Sequence, residues 1–137
     1  MRRIAVLLAV LAVAAPAAQA QQRPLVTFTR TGGFIGATDQ LSVSTAGRVT
    51  SSRGSYRIST ARLLALRRSL IVARFATLRP KYLAAVPIAD GYTYGIRYAG
   101  RSVLVEEGAE TPTRLAKLVR LLDGLLWRGP RAARGLL

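Results

Sequence analysis

The chain has 137 residues, half of them hydrophobic, which suits one domain with a single core and is too short for several domains. Its 21 Lys and Arg residues against 6 Asp and Glu give a net charge of +15, and it contains no His and no Cys. That composition excludes disulfides, thiol catalysis and the commonest transition-metal ligands, so we expect no cofactor and no metal site.

The first twenty residues have the pattern of a signal peptide. Arg2 and Arg3 precede an apolar run from Ile4 to Ala15, and Ala18–Ala20 supplies small residues for cleavage before Gln21. We therefore predict export, to the periplasm or out of the cell. The run is too short to span a bilayer and no second run follows it, so we expect no transmembrane segment in the mature chain.

Alternation of period two predicts strands at residues 25–30, 40–44 and 48–52, with a tight turn at Thr45–Gly47 before the third. A helix of about fifteen residues follows, capped by Ser59 or Thr60. Its expected apolar face consists of Leu63, Leu66, Leu70 and Ala73, widened by Leu64, Ile71 and Phe75, with the arginines pointing outward.

An irregular stretch at residues 76–91 separates this helix from the second half of the chain. Residues 92–98 and 101–106 are predicted strands joined by a hairpin turn at Ala99-Gly100. Thr111 is expected to cap a second helix, with Pro112 in its first turn, and Gly129-Pro130 ends that helix.

The element order βββ-α-ββ-α predicts the α+β class, with a single antiparallel sheet of about five strands and two helices packed on one face. We assign residues 1–20 to the signal peptide, 21–128 to a single α+β domain and 129–137 to a flexible basic tail. We expect a monomer.

The residues available for catalysis are few, and we predict that the protein is not an enzyme. Lys81 and Lys117 are the only lysines, and neither is placed to activate a serine. A pair of carboxylates facing across a cleft is the other possibility. For Glu106, Glu107 and Glu110 we favour another role, stabilising the amino end of the second helix.

The excess of basic residues allows two interpretations. One is a polyanionic partner, such as an anionic surface or polymer, which gives the alternative function of a basic periplasmic or secreted binding module. The other is a compositional bias towards arginine, since the arginines are spread over the whole chain. Export argues against nucleic acid as the normal ligand.

Two stretches combine glycines with aromatic side chains in loops. They are Arg30-Thr31-Gly32-Gly33-Phe34-Ile35-Gly36, after the first strand, and Asp90-Gly91-Tyr92-Thr93-Tyr94, before the first strand of the second hairpin. With the capped Leu-rich helix from Thr60 and the closing helix after Thr111-Pro112, they resemble the emfourin-like family. The resemblance covers residues 25–127. It implies an inhibitor of thermolysin-type zinc metalloproteases of the protealysin group.

The resemblance makes the two loops the expected contact with the protease. A catalytic zinc keeps one open position, which a carboxylate from Asp90 or Asp39 could fill. Phe34 and Ile35 would enter the neighbouring substrate pocket. The predicted partner-binding residues are Gly32, Gly33, Phe34, Ile35, Asp39, Asp90 and Tyr92.

Each of these residues also has a purely structural interpretation. Asp90 can hydrogen-bond its own turn, Phe34 can fold back as core, and Gly32 and Gly33 can form a bulge. Tyr92 can pack under a helix, as can Tyr94 and Tyr98, and Trp127 can close the core.

Overall fold

The computed structural model describes residues 23–128, so the predicted signal peptide (1–20) and basic tail (129–137) lie outside the described residues. Seven strands and two long helices follow one another in the order ββββ-α-β-ββ-α. They are β1 (Pro24–Gly32), β2 (Ala37–Ser44), β3 (Arg48–Ser51), β4 (Gly54–Arg57), α1 (Thr60–Ala73), β5 (Lys81–Tyr82), β6 (Tyr92–Tyr98), β7 (Arg101–Glu106) and α2 (Thr113–Arg128). A short 3-10 turn, Phe75–Thr77, follows α1.

The strands form one mixed sheet in the order β4-β3-β2-β1-β6-β7-β5. All neighbouring strands are antiparallel except β5, which runs parallel to β7. The predicted α+β class is confirmed. The predicted single antiparallel sheet of about five strands, with the order βββ-α-ββ-α, is wrong in strand number and in being wholly antiparallel.

The two unpredicted strands lie at the two edges of the sheet, and both are too short to show a period in the sequence. β4 returns from β3 through the turn at Ser52-Arg53, pairing Ser51 with Gly54. β5 has two residues, and its pairing is with residues 104 and 105, more than twenty positions along the chain. So short a strand forms because its backbone hydrogen-bonds to a neighbouring strand, and not because of a strand preference in its own sequence.

One face of the sheet is buried and the other is open. Phe28 in β1 lies opposite Leu41 in β2 and Ile96 in β6, and all three are buried. The intervening positions carry polar side chains such as Thr27 and Thr29. Because α1 and α2 contact each other and share this one core, both helices cover the buried face.

Helix α1 begins where predicted, with the Ser59 hydroxyl accepting a hydrogen bond from the Arg62 backbone N–H at 3.3 Å. Leu66, Leu70 and Ala73 are buried as expected, but Leu64 and Ile71 are exposed. At 100° per residue, these two side chains lie outside the face of α1 that meets the sheet. The apolar residues of α1 extend around nearly the whole helix, and the sheet covers only one side of it.

Helix α2 buries the expected leucines, namely Leu115, Leu118, Leu122, Leu125 and Leu126. The helix begins at Thr113, directly after Pro112. The Pro112 carbonyl accepts hydrogen bonds from the N–H groups of Leu115 and Ala116. Within residues 23–128, no helix is long and apolar enough to cross a membrane.

Candidate functional site

The connection between β1 and β2 projects two large apolar side chains into solvent. Gly33–Gly36 forms a tight turn in which the Gly36 N–H donates to the Gly33 carbonyl at 3.0 Å. Phe34 and Ile35 occupy its two central positions and are 91% and 83% exposed. Phe34 therefore does not fold back as core, and the turn leaves both side chains in solvent.

Glycine at positions 32 and 33 lets this turn approach the loop before β6. A Cβ atom on Gly32 would stand 2.3 Å from the Gly91 carbonyl oxygen, and one on Gly33 would stand 2.8 Å from the Tyr92 hydroxyl. The Gly33 N–H points to the same Gly91 carbonyl at 3.4 Å. Any side chain at Gly32 would separate the two segments, so the first glycine pair fixes their contact and is not a simple bulge.

The second segment, Leu83–Gly91, is also rich in exposed apolar side chains. Leu83, Val86 and Ile88 are all more than half exposed, and the Asp90 carboxylate is exposed beside them. We call Gly33–Gly36 and Leu83–Gly91 the paired loops. Because Phe34 follows Gly33 and Asp90 precedes Gly91, the contact between the glycines brings the two segments that carry the predicted apolar anchor and the predicted carboxylate next to each other.

Two carboxylates at the end of β7 hold the second of the paired loops. Glu106 Oε2 accepts the Ala84 N–H at 3.0 Å, and Glu107 Oε2 accepts the Tyr92 N–H at 2.8 Å. These contacts replace the role at the amino end of the second helix that was expected for them. The sequence could not show this, because Ala84 reaches Glu106 through the pairing of β5 with β7, and Tyr92 reaches Glu107 through the pairing of β6 with β7.

Asp39 does not join the exposed surface. Its Oδ2 accepts a hydrogen bond from Arg30 Nη2 at 2.7 Å, and its side chain is only 16% exposed. Arg30 is itself buried and also reaches Asp123 through Nη1 at 3.2 Å, while its Nε has no partner within residues 23–128. Asp39 is therefore engaged inside the fold, and Asp90 is the exposed carboxylate of the paired loops.

Aromatic rings surround the same arginine. The Arg30 guanidinium carbon lies 4.8 Å from the centre of the Tyr92 ring and 4.5 Å from the Trp127 ring, and Arg53 stacks on Trp127 at 3.9 Å. Trp127 is thus half exposed and held between two cations, not a lid on the core. Sequence reasoning missed this cluster because Arg30 and Asp123 are 93 positions apart.

Burial and charge act in opposite directions on Arg30. Burial lowers the pKa of its guanidinium, but the Asp39 hydrogen bond and the charges of Asp123 and Asp39 raise that pKa above its ordinary value. Burial raises the pKa of the nearby Tyr94 hydroxyl, and Glu107 adds to the increase. Arg30 therefore stays charged, and it anchors the strand end that carries the Gly33–Gly36 turn.

Other candidate sites in the described chain offer little chemistry. No group of three or more acidic, His or Cys side chains is arranged to hold a metal ion among residues 23–128. A shallow concavity of about 500 Å³ on the open sheet face is lined by side chains without charge, mostly hydroxyls. The paired loops are the most distinctive surface, since they expose side chains that folding would otherwise bury.

The chain was compared with protein-family models and with curated proteins. No protein-family model matches the chain, and no curated protein matches it.

Proposed function

We propose that this chain is an exported, non-enzymatic protein that binds and inhibits a thermolysin-type zinc metalloprotease through its paired loops. The observation that carries the proposal is the exposure of Phe34 and Ile35, at 91% and 83%, beside the exposed Asp90 loop. The emfourin-like resemblance supports the kind of protease, and the exposure of the paired loops supports the choice of contact surface. Asp39 has no part in the proposed contact, because it is paired with Arg30.

The proposed mechanism divides the work between the two loops. Phe34 and Ile35 enter the apolar substrate pocket, where large rigid side chains contribute most to binding. Asp90 supplies a carboxylate oxygen to the open position of the catalytic zinc, displacing the water that attacks the substrate. The hydrogen bonds that Glu106 and Glu107 accept keep the Asp90 loop in place before binding, which reduces the entropy lost on association.

The positions of the carboxylates favour binding over catalysis. Asp39 and Asp123 are paired with Arg30, and Glu106 and Glu107 hold backbone N–H groups of the second paired loop and of Tyr92 beside it. General acid–base catalysis by carboxylates needs two of them on either side of a substrate cleft. Four of the six are already engaged by the fold, which supports the proposal of a protein without catalytic activity.

The decisive experiment measures inhibition of thermolysin-type proteases by purified residues 21–137 and by three loop variants. We expect Phe34→Ala and Ile35→Ala each to weaken inhibition, with the larger loss at about thirty-fold, the scale of an interface hot spot. Asp90→Asn keeps the shape of the side chain but removes the charge that zinc prefers. It should weaken inhibition without abolishing binding.

Two matched controls test the location of the contact. Ile71→Ala removes an exposed apolar side chain on α1, and Glu110→Gln removes an exposed carboxylate outside the paired loops. Both should inhibit like the unaltered protein. If no protease is inhibited at micromolar concentration, or if the controls lose as much inhibition as the loop variants, the proposal is wrong.

A further inference from the structure

A second exposed apolar surface lies on the outer side of helix α1, away from the sheet. Leu64, Ile71 and Val72 are 50%, 68% and 59% exposed. At 100° per residue they share one side of the helix with Arg68 at its centre. We call this surface the α1 outer face, and it consists of the exposed residues Ala61, Leu64, Ala65, Arg68, Ile71 and Val72.

The helix layer around this face is strongly basic. Helices α1 and α2, with the residue that ends α1, contain seven arginines and one lysine but a single acidic residue, Asp123. Asp123 is paired with Arg30 towards the core. Within residues 23–128, no basic side chain of the helix layer forms an ion pair. The layer therefore presents positive charge together with exposed apolar side chains.

A groove between the two helices extends this basic surface. It has a volume of about 240 Å³, and Ala65, Leu121 and Leu125 line it together with three arginines, Arg62, Arg120 and Arg128. The three guanidiniums carry donors that match phosphate oxygens, and the groove is otherwise uncharged. Its chemistry suits a phosphodiester group that is attached to an apolar body.

We propose that the α1 outer face docks on a lipid bilayer with anionic headgroups. Leu64, Ile71 and Val72 would lie at the boundary between headgroups and acyl chains. The aliphatic parts of the arginine side chains would lie beside these apolar side chains, while the guanidiniums remain among the lipid phosphates. Each basic side chain near such a surface adds to the attraction, and the groove arginines hold individual phosphates.

The charge of the α1 outer face favours an anionic bilayer over a second copy of the chain as its binding partner. In a symmetric dimer built on the α1 outer face, each Arg68 would lie near its equivalent in the partner. Helix α1 has no acidic residue to compensate them. The charges that repel a second copy attract an anionic surface, so the same residues favour the bilayer and oppose self-association.

The apolar side chains decide between a bilayer and a polyanion in solution. A nucleic acid or an anionic polysaccharide would pair with the arginines but leave Leu64, Ile71 and Val72 facing water. A bilayer interface accommodates both kinds of side chain at once. This inference does not depend on the proposed function, since it uses a helix face and not the paired loops.

The test is co-sedimentation of residues 21–137, which contain the whole described fold, with phosphatidylcholine vesicles that hold either no phosphatidylglycerol or about 30% of it. We expect binding to the anionic vesicles only, and weaker binding when salt is raised from about 50 mM to about 500 mM. Arg68→Glu should weaken partitioning about thirty-fold and Ile71→Ser about ten-fold.

Two control variants make the location testable. Arg97→Glu changes the net charge by the same amount as Arg68→Glu, but Arg97 is exposed on the open face of the sheet. Phe34→Ala removes an apolar side chain from the paired loops. Neither should weaken binding. Equal losses of vesicle binding in Arg68→Glu and Arg97→Glu would show that binding depends only on the net charge of the protein. A loss of vesicle binding in Phe34→Ala alone would place the contact on the paired loops. Either result overturns the proposal.

Two further measurements have outcomes that contradict the proposal directly. Heparin binding that matches vesicle binding and is unchanged in Ile71→Ser would assign the face to a soluble polyanion. A concentration-dependent dimer in analytical ultracentrifugation that disappears in Ile71→Ser would assign it to self-association. Absence of binding to anionic vesicles would overturn the proposal without either measurement.

Discussion

At the scale of single residues, Arg30 is the most constrained side chain of the described chain. It is a charged group with a side chain only 6% exposed; two carboxylates pair with its Nη atoms and two aromatic rings contact its guanidinium, whereas its Nε has no partner within residues 23–128. Removing one partner of a buried ion pair costs more than the pair contributes, because a buried charge is left uncompensated. The two carboxylates differ in distance and burial, so their removal should have unequal effects.

We expect Asp39→Asn to lower the free energy of unfolding by about 2–3 kcal/mol and Asp123→Asn by about 1 kcal/mol. Asp39 is the closer and more buried partner, at 2.7 Å against 3.2 Å. Urea denaturation followed by the fluorescence of Trp127, the only tryptophan, measures both values. Glu110→Gln is the control and should change stability little. A larger cost for Asp123→Asn would mean that Arg30 depends chiefly on α2.

At the scale of elements, the β4 edge strand shows how a short segment with little apolar content is kept in place. Its four residues pair with β3, and the Tyr56 hydroxyl donates a short hydrogen bond to the Leu125 carbonyl in α2. This bond joins the edge of the sheet to the helix layer. Burial raises the pKa of the Tyr56 hydroxyl above its ordinary 10.0, although the positive charge of Arg128 acts in the opposite direction.

Tyr56→Phe should lower the free energy of unfolding by about 1 kcal/mol at neutral pH, because the Leu125 carbonyl loses its donor. The raised pKa means that the folded state holds the proton more tightly than the unfolded state. The stabilisation that the protonated Tyr56 hydroxyl contributes to the folded state is therefore complete below pH 10, and it is lost as the pH rises through the folded-state pKa of this hydroxyl.

Thermal denaturation at pH 8 and at higher pH measures this dependence. The Tyr56→Phe variant should lose less stability than the unaltered chain over that interval. Part of the loss should remain, since burial also raises the pKa of Tyr94. An unchanged alkaline loss in the variant would show that Tyr56 is not the group responsible.

At the scale of the whole molecule, charge is distributed unevenly. Of the six acidic residues, two are paired with Arg30 and two hold the Asp90 loop, whereas the helix layer is basic. A net charge of +15 over the whole chain produces self-repulsion that opposes the compact state. Salt screens repulsion between exposed charges that lie farther apart than about 8–10 Å.

Raising the salt concentration should therefore stabilise the protein by about 1 kcal/mol, which corresponds to roughly 4 °C in the melting temperature of a domain of this size. Differential scanning calorimetry of residues 21–137 between low and moderate sodium chloride provides the measurement. Arg68→Glu and Arg97→Glu each remove two units of net charge and should both reduce the increase. A melting temperature that falls with salt would show that the ion pairs of Arg30, together with that of Arg53 Nη2 with Asp39 Oδ2 at 3.8 Å, outweigh the repulsion.

The sequence could predict the fold as far as its regular periods extend. Both long helices, the main hairpin strands and the turns at Gly47 and Gly100 have local causes: apolar spacing, a capping Ser59 and glycines suited to positive φ. Strands β4 and β5 have no such local cause, because four and two residues show no period and their pairing comes from distant partners. The exposed tip at Phe34 and Ile35 could not be decided from the sequence, because large apolar side chains favour burial and Phe34 could equally have folded back as core.

The sequence by itself determined the α+β class, the absence of His and Cys chemistry and the segments that form the paired loops. Only the tertiary structure decided which carboxylates remain available, because Asp39, Asp123, Glu106 and Glu107 find their partners across the sheet and not along the chain. It also decided that Leu64, Ile71 and Val72 face outward. The physical reason is the same in both cases: local patterns fix backbone shape, whereas burial and pairing depend on which elements the fold brings together.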